Sequence, residues 1–201
     1  MPISEAQTDN NPQAYKAKID IRKRVFEAVA ASSEAVSVFD AFAGSGEMFT
    51  GAWHEADKYV GCGLKYQADK RLMFAADNRR VMRAIDLRQF NVFDLDAYGS
   101  PWEQAMIIAD RRPVKAGEVL GLAITEGAGL SYKSNVLPHA VRVLTGLRPG
   151  IVGLGRKQDD LIHRTIVGLA QRMRCSVEKR WQAEGRTGAS MRYIGLVLKG
   201  R

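Results

Sequence analysis

Histidine and cysteine are scarce in this sequence, at three and two residues, and neither falls into a metal-binding spacing. His54, His139 and His163 stand apart and no CxxC or HxxxH pair is present, so a zinc site has no ligand cluster to use and no metal is expected. Cys62 and Cys175 sit in apolar or mixed surroundings and read as reduced packing residues rather than a disulfide. The absence of a Pro-Cys dipeptide removes a cytosine-type thiol nucleophile, and Gly44-Ser45-Gly46 lacks the G-x-S-x-G elbow of serine hydrolases. No stretch approaches the ~20 apolar residues needed to cross a bilayer. Met1 to Asn11 is polar, without the apolar core of a signal peptide. The expectation is a cytoplasmic protein with no membrane partner.

What is present is ordinary globular material: 201 residues, 46% hydrophobic and 26% charged. That length suits one compact domain better than two, and the proportions argue against disorder. The formal net charge is +8, and it is unevenly placed. Residues 142 to 201 hold 13 Lys/Arg against 4 Asp/Glu, whereas residues 1 to 141 hold 17 against 18. The basic character therefore belongs to the last sixty residues, and excess positive charge speaks for affinity to polyanions rather than for a fold.

Residues 1–13 read as a flexible tail and 14–201 as a single domain. A helix is predicted from about Ala14 to Ala31, where Ile21, Val25, Ala28 and Val29 form an apolar stripe. Strands are predicted at Val36 to Phe42, Lys58 to Leu64, Phe90 to Asp96 and Val119 to Thr125, with an extended piece at Ala84 to Leu87. Between and after them come helices at Glu47 to Asp57, Ala68 to Arg83, Trp102 to Asp110, Asn135 to Thr145 and Asp159 to Met173, the last capped by Asp159 or Asp160. Two further strands, Cys175 to Gln182 and Met191 to Leu198, flank the glycine-containing loop Ala183 to Ser190 and read as a hairpin. The pattern gives an α/β fold: a Rossmann-like, mostly parallel sheet with helices on both faces and a C-terminal antiparallel hairpin.

In such a sheet, ligands bind outside the carboxyl ends of the strands, so the polar residues just beyond each strand carry the functional information. Three segments stand out. Asp40-Ala41-Phe42-Ala43-Gly44-Ser45-Gly46 follows the first strand, where glycine permits a tight turn and close approach of backbone N–H groups to a ligand. Phe49 occupies the place of the third glycine of the dinucleotide fingerprint. The spacing Asp-x-Phe-x-Gly-x-Gly instead resembles the first motif of class I S-adenosylmethionine-dependent methyltransferases. Next, Phe93-Asp94-Leu95-Asp96-Ala97-Tyr98-Gly99-Ser100-Pro101 resembles the Asp-Leu-Asp-Pro-Phe/Tyr-Gly-Ser-Pro motif of tRNA guanine exocyclic-amine dimethyltransferases, with Ala97 replacing proline. Finally, Ile124-Thr125-Glu126-Gly127-Ala128-Gly129-Leu130 is similar to the Thr-Asp-x-x-x-Leu segment of those enzymes, with Glu126 in the acidic position. The matches span residues 36 to 130.

The resemblance implies S-adenosylmethionine as cofactor, held by Asp40, Phe42, Gly44 and Gly46. Asp86 would accept from the adenine amino group or, alternatively, be a solvated loop carboxylate. The family's ribose-binding acid at the end of the second strand is missing: Gly63 stands there, and Asp69 is the nearest acid to compensate. The implied reaction is methylation of an exocyclic amine of a nucleic-acid base, RNA before DNA. Asp96 would accept hydrogen bonds from that amine, Asp94 or Glu126 would orient it, and Tyr98 would stack on the base or, equally, pack on the sheet. Arg156, Lys157, Arg180 and Arg186 are the candidate phosphate contacts, their alternative a solvated helix face. The rival readings are a degenerate protein of the same fold, acting as a nucleic-acid-binding or interaction module, and an enzyme that methylates a small molecule or protein.

Overall fold

The computed structural model describes residues 12–65, 69–185 and 191–201. In chain order the elements are α1 (Pro12–Ala30), β1 (Ser37–Asp40), β2 (Lys58–Gly63), β3 (Met73–Ala75), α2 (Asn78–Ala84), β4 (Val92–Asp96), α3 (Trp102–Arg111), β5 (Val119–Glu126), α4 (Gly129–Lys133), α5 (His139–Thr145), α6 (Gln158–Arg172), β6 (Cys175–Glu184) and β7 (Arg192–Gly200). The strands form one sheet in the order β3-β2-β1-β4-β5-β7-β6. The first five are parallel, and β7 runs antiparallel to both β5 and β6. This is the mostly parallel sheet with a closing antiparallel hairpin that the alternation of elements predicts.

Both faces are covered, so the strands are apolar on alternate sides rather than half polar. Phe39, Phe93 and Leu122 point into a core formed with α2, α3, α5 and α6, whereas their neighbours Val38, Val92 and Ala123 point into a second core under α1. The helix α1 lies close on the sheet because Gly121 and Gly195 have no side chain. A Cβ on either would meet Val25 at 3.0 Å or less.

Several expected elements differ. Residues Ala68 to Arg83 are not one helix: Met73–Ala75 pairs in parallel with Gly61–Gly63, and only from Asn78 does the chain coil. The Asp77 side chain accepts from the Arg79 amide and so begins the helix there. The segment predicted as helix from Glu47 is largely a π-helical turn, Phe49–Trp53. The helix expected from Asn135 starts at His139, because the residue before Pro138 is disfavoured in helical conformation. The expected extension at Ala84 to Leu87 gives way to a 3-10 turn, Leu87–Gln89, capped by Asp86. Asp159 and Asp160 lie within the first turn of α6 rather than capping it. Most of the N-terminal tail and of the hairpin loop falls on residues 1–11 and 186–190, outside the described residues. Among the described residues no helix is long and apolar enough to cross a membrane, no metal-binding group of acids, histidines and cysteines occurs, and both cysteines are free and buried.

Candidate functional site

The strand order reverses between β1 and β4, whose other neighbours lie on opposite sides, and a cleft opens at their carboxyl ends as expected for such a switch point. It consists of two cavities, of about 420 and 680 Å³, within the range typical of small-molecule sites. The smaller is bordered by Gly63, Lys65, Asp77, Asn78 and Gln104, the larger by Pro12, Tyr15 and Lys18 of α1, by Gly46 and by Thr125. Phe42, Gly44, Asp96 and Tyr98 border both, so the two cavities meet where the first and second motifs face each other.

The turn after β1 is built on positive φ at Gly44 and Gly46, +43° and +92°, which a residue with a side chain rarely adopts. The Arg71 guanidinium lies over Gly46, about 3 Å from where a Cβ would stand, and donates to the carbonyls of Ala43 and Gly44 while pairing with Asp69. Asp69 thus anchors the arginine that braces the glycine turn. Asp40 is buried beneath the turn, where its carboxyl accepts from the Phe42 amide at 3.0 Å and the Tyr59 hydroxyl at 2.8 Å. Burial and the nearby Asp94 push its pKa up, against the pull of these two donors.

Gly63 borders the smaller cavity, and a Cβ built on it would meet nothing nearer than 3.8 Å. A side chain there would be accommodated. Asn78 Nδ2 donates to the Ala41 carbonyl and Gln104 Nε2 to Asn78 Oδ1, which leaves Gln104 Oε1 buried and without a hydrogen-bond partner. Asp86 is elsewhere: it is exposed, paired with Arg88 at 2.9 Å, and borders neither cavity. Asp77, two residues past β3, is the acid that the fold brings to this end, where it pairs with Arg79 at 2.7 Å.

Asp94 and Asp96 share a strand end but not a role. Asp94 is fully buried, held by Arg22 through two 2.7 Å hydrogen bonds and by the Trp53 indole N–H at 2.7 Å. All of its capacity is directed into the protein, so it anchors α1 and the π-helical turn to the sheet rather than facing the cleft. Asp96 borders both cavities, with the Lys18 ammonium 3.0 Å from Oδ1 and 3.1 Å from Oδ2. Burial pushes its carboxyl up, but Arg22 and Lys18 outweigh burial and hold it below the usual value. Arg22 responds inversely: burial works to lower it, and the two aspartates more than restore it. The sequence signal for both cations was available, since Lys18, Arg22, Val25 and Val29 fall at helical spacing on one stripe, two charges on a face otherwise apolar.

Tyr98 is 75% exposed and borders both cavities; it does not pack into the sheet. Gly127 closes on the same turn, donating to the Gly99 carbonyl at 2.9 Å. Glu126 is fully buried behind it and accepts from the Ala128 amide at 2.7 Å. Burial pushes its carboxyl up to about 7, with the Ala128 amide opposing. Cys62 is likewise raised by burial, to about 11, and is no nucleophile.

Of the candidate phosphate contacts, Arg156 and Lys157 lie on the 3-10 turn Leu154–Lys157, which packs through Gly155 against Lys133 of α4. This places them on the side of the cleft that follows β5, and neither side chain has an ion-pair partner among the described residues. Arg180 sits mid-way along the edge strand β6, bonded to Gln182 and His163, away from the strand ends that form the cleft. Arg186 lies outside the described residues. Much of the remaining basic charge is neutralised internally: Arg164 pairs with Asp160, Arg172 with Asp110, and Arg192 with Asp159 and Glu184.

No protein-family model and no curated protein matches the sequence. Among solved structures, the chain is similar to Trm1 from Pyrococcus horikoshii in complex with S-adenosyl-L-methionine, with a TM-score of 0.59 and 16% identity over 100% of this chain. It spans 58% of the length of that protein. It is also similar to the N-methyltransferase NodS from Bradyrhizobium japonicum WM9 in complex with S-adenosyl-l-homocysteine, with a TM-score of 0.52 and 9% identity over 96% of this chain and 89% of the other. Strand order, the glycine turn and these likenesses converge on one architecture: the chain has the fold of the class I S-adenosylmethionine-dependent methyltransferases.

Proposed function

We propose that the protein is an S-adenosylmethionine-dependent methyltransferase acting on an exocyclic amine of a nucleic-acid base, RNA before DNA. The observation that carries this reading is the meeting of the two cavities at Phe42, Gly44, Asp96 and Tyr98. One cavity suits a nucleoside, the other an acceptor, and an amine-binding carboxylate stands between them. The smaller cavity suits the cofactor: Phe42 and Gly44 of the glycine turn border it, Gln104 borders it with a buried side-chain oxygen that lacks a hydrogen-bond partner, and Asp77, paired with Arg79, stands on its lining where Asp86 does not.

When bound, the cofactor supplies a sulfonium methyl that is already activated, so the chain has mainly to align an amine lone pair and exclude water. Asp96, with the Ala97 carbonyl, accepts the amine's N–H groups and turns its lone pair toward the junction. Tyr98, exposed at the rim, offers a face on which a base extruded from its strand stacks. Asp94 and Glu126 are positioning residues behind the turn. Lys133, Arg156 and Lys157 offer phosphate contacts beside α4.

Gly63 favours a second reading, a cofactor-weakened protein that binds nucleic acid without methylating it. Transfer of labelled methyl from S-adenosylmethionine to transfer RNA, ribosomal RNA and duplex DNA, with an Asp96→Ala variant alongside, separates the two. Labelling of RNA that the variant abolishes, with nucleic-acid retention kept, supports the enzyme; no labelling of any polymer, or labelling indifferent to Asp96, overturns it.

A further inference from the structure

Lys18 is not an ordinary surface lysine. Its ammonium is shared between both oxygens of Asp96 at 3.0 and 3.1 Å and sits 5.6 Å from the centre of the Tyr193 ring. Its carbonyl accepts from Arg22 Nη1 at 3.1 Å, one helical turn further along the stripe that packs on the sheet. The side chain is about four-fifths buried, and it borders the larger cavity beside Asp96 and Thr125. An immobilised cation therefore stands where an incoming amine would meet the carboxylate.

We propose that Lys18 determines which amines the site accepts: by cancelling the charge of Asp96, it admits neutral aromatic amines and turns away ammonium ions. The inference rests on the reading of Asp96 as the acceptor-binding group. Two carboxylates, Asp94 and Asp96, face two cations, Arg22 and Lys18, and burial together with Asp94 pushes the neighbouring Asp40 carboxyl up to about 8, so the strand end carries little net charge at neutral pH. Glu47, the other acid on this cavity, is exposed to solvent, where water and salt screen it. Without Lys18 the cavity would hold a buried carboxylate opposed only by Arg22, which stands 3.6 Å from one oxygen and is already bonded to Asp94, and so a stronger attractor for the protonated amines of lysine or small alkylamines. A nucleobase amine is uncharged at neutral pH and meets no such repulsion. Asp96 still has room for it, because a carboxylate offers about four lone-pair sites, of which Lys18 takes two and Arg22, at 3.6 Å, one.

The test offers the protein equal concentrations of RNA and a lysine-rich peptide with labelled S-adenosylmethionine, comparing the natural chain with Lys18→Met and Lys18→Arg. Lys18→Met keeps the length and the packing of the stem. The expected result is a shift of label toward the peptide of at least tenfold in Lys18→Met, the bound ammonium first losing a proton to water so that its lone pair can take the methyl as the sulfonium leaves as thioether, with the natural preference restored in Lys18→Arg. An unchanged ratio in Lys18→Met, or label on Lys18 itself, overturns the proposal. A second measurement needs no methyl transfer: n-butylammonium titrated against the Asp96 carboxylate resonance should bind at least tenfold more tightly in Lys18→Met than in the natural chain, and equal affinity refutes the role. Failure of the methyltransferase reading shows separately, as no label in any of the three proteins.

Discussion

At the Gly63 end of the cleft the polar groups rest on local contacts: Asp77 on the amide and the guanidinium of Arg79 two residues on, and Gln104 on Asn78 and Asn78 on the Ala41 carbonyl. At the Lys18 end they rest on ion pairs that join residues more than seventy positions apart, Arg22 with Asp94 and Lys18 with Asp96. One end is shaped by backbone, neutral side chains and one solvent-exposed ion pair between sequence neighbours, which water screens. The other is assembled by desolvated charges already committed to one another, and so is held rigidly before anything binds. The difference suits a nucleoside, read by shape and hydrogen bonds, at the first end, and alignment of a reacting amine at the second.

The largest way to break this contrast is to remove one charge from the buried pair. Arg22→Met leaves Asp94 without its cation in the core, where it must stay charged at a cost or take up a proton, and a loss of about 3–5 kcal/mol in urea unfolding is expected. The double variant with Asp94→Asn should regain at least half of it, since neither charge then remains and the Trp53 N–H keeps an acceptor. If the single variant loses less than about 1 kcal/mol, the pair does not hold the Lys18 end together.

Glu126 gives a smaller, pH-dependent effect. Its folded pKa, about 7, lies above the ordinary value of 4.5, so the folded state binds a proton that the unfolded state has released between those values. The stability that this group contributes is full below about pH 4.5 and is lost as the pH rises to about 7. Unfolding at several pH values should show Glu126→Gln gaining on the natural protein by about 1–3 kcal/mol between pH 5 and pH 8. A constant difference would show that the carboxyl is ionised throughout.

The finest contrast lies within the Gly63 end. Asp77→Ala should weaken binding of an adenine nucleoside about fivefold or more, the loss of one charge-assisted hydrogen bond, while Asp86→Ala should leave it unchanged. The reverse order would restore the adenine-side role to Asp86.

The contrast also explains what the sequence could disclose. The sheet, the glycine turn and the Asp94-to-Pro101 segment are read from contiguous residues, because strand alternation and turn chemistry are local. The hairpin is equally local, with β6 and β7 paired along most of their length. The partition of work between Asp94 and Asp96 is not legible in this way. Two acids spaced by one residue share a face of a strand, and only the docking of α1 decides which of them meets Arg22 and which faces the cleft. Asp86 follows a segment that reads as a strand, whereas the actual strand β3 is three residues long and lies within a segment of helical composition, so nothing local marks Asp77.

The central claim is that the Gly63 end takes the nucleoside of S-adenosylmethionine, and calorimetry tests it most directly. The natural protein should bind S-adenosylmethionine and S-adenosylhomocysteine measurably, and Gly63→Asp, whose side chain has room and gains the ribose hydroxyls, should bind both about tenfold more tightly or better, equivalent to about 1.5–3 kcal/mol. Absence of binding to either ligand at millimolar concentration, in both proteins, would contradict the account.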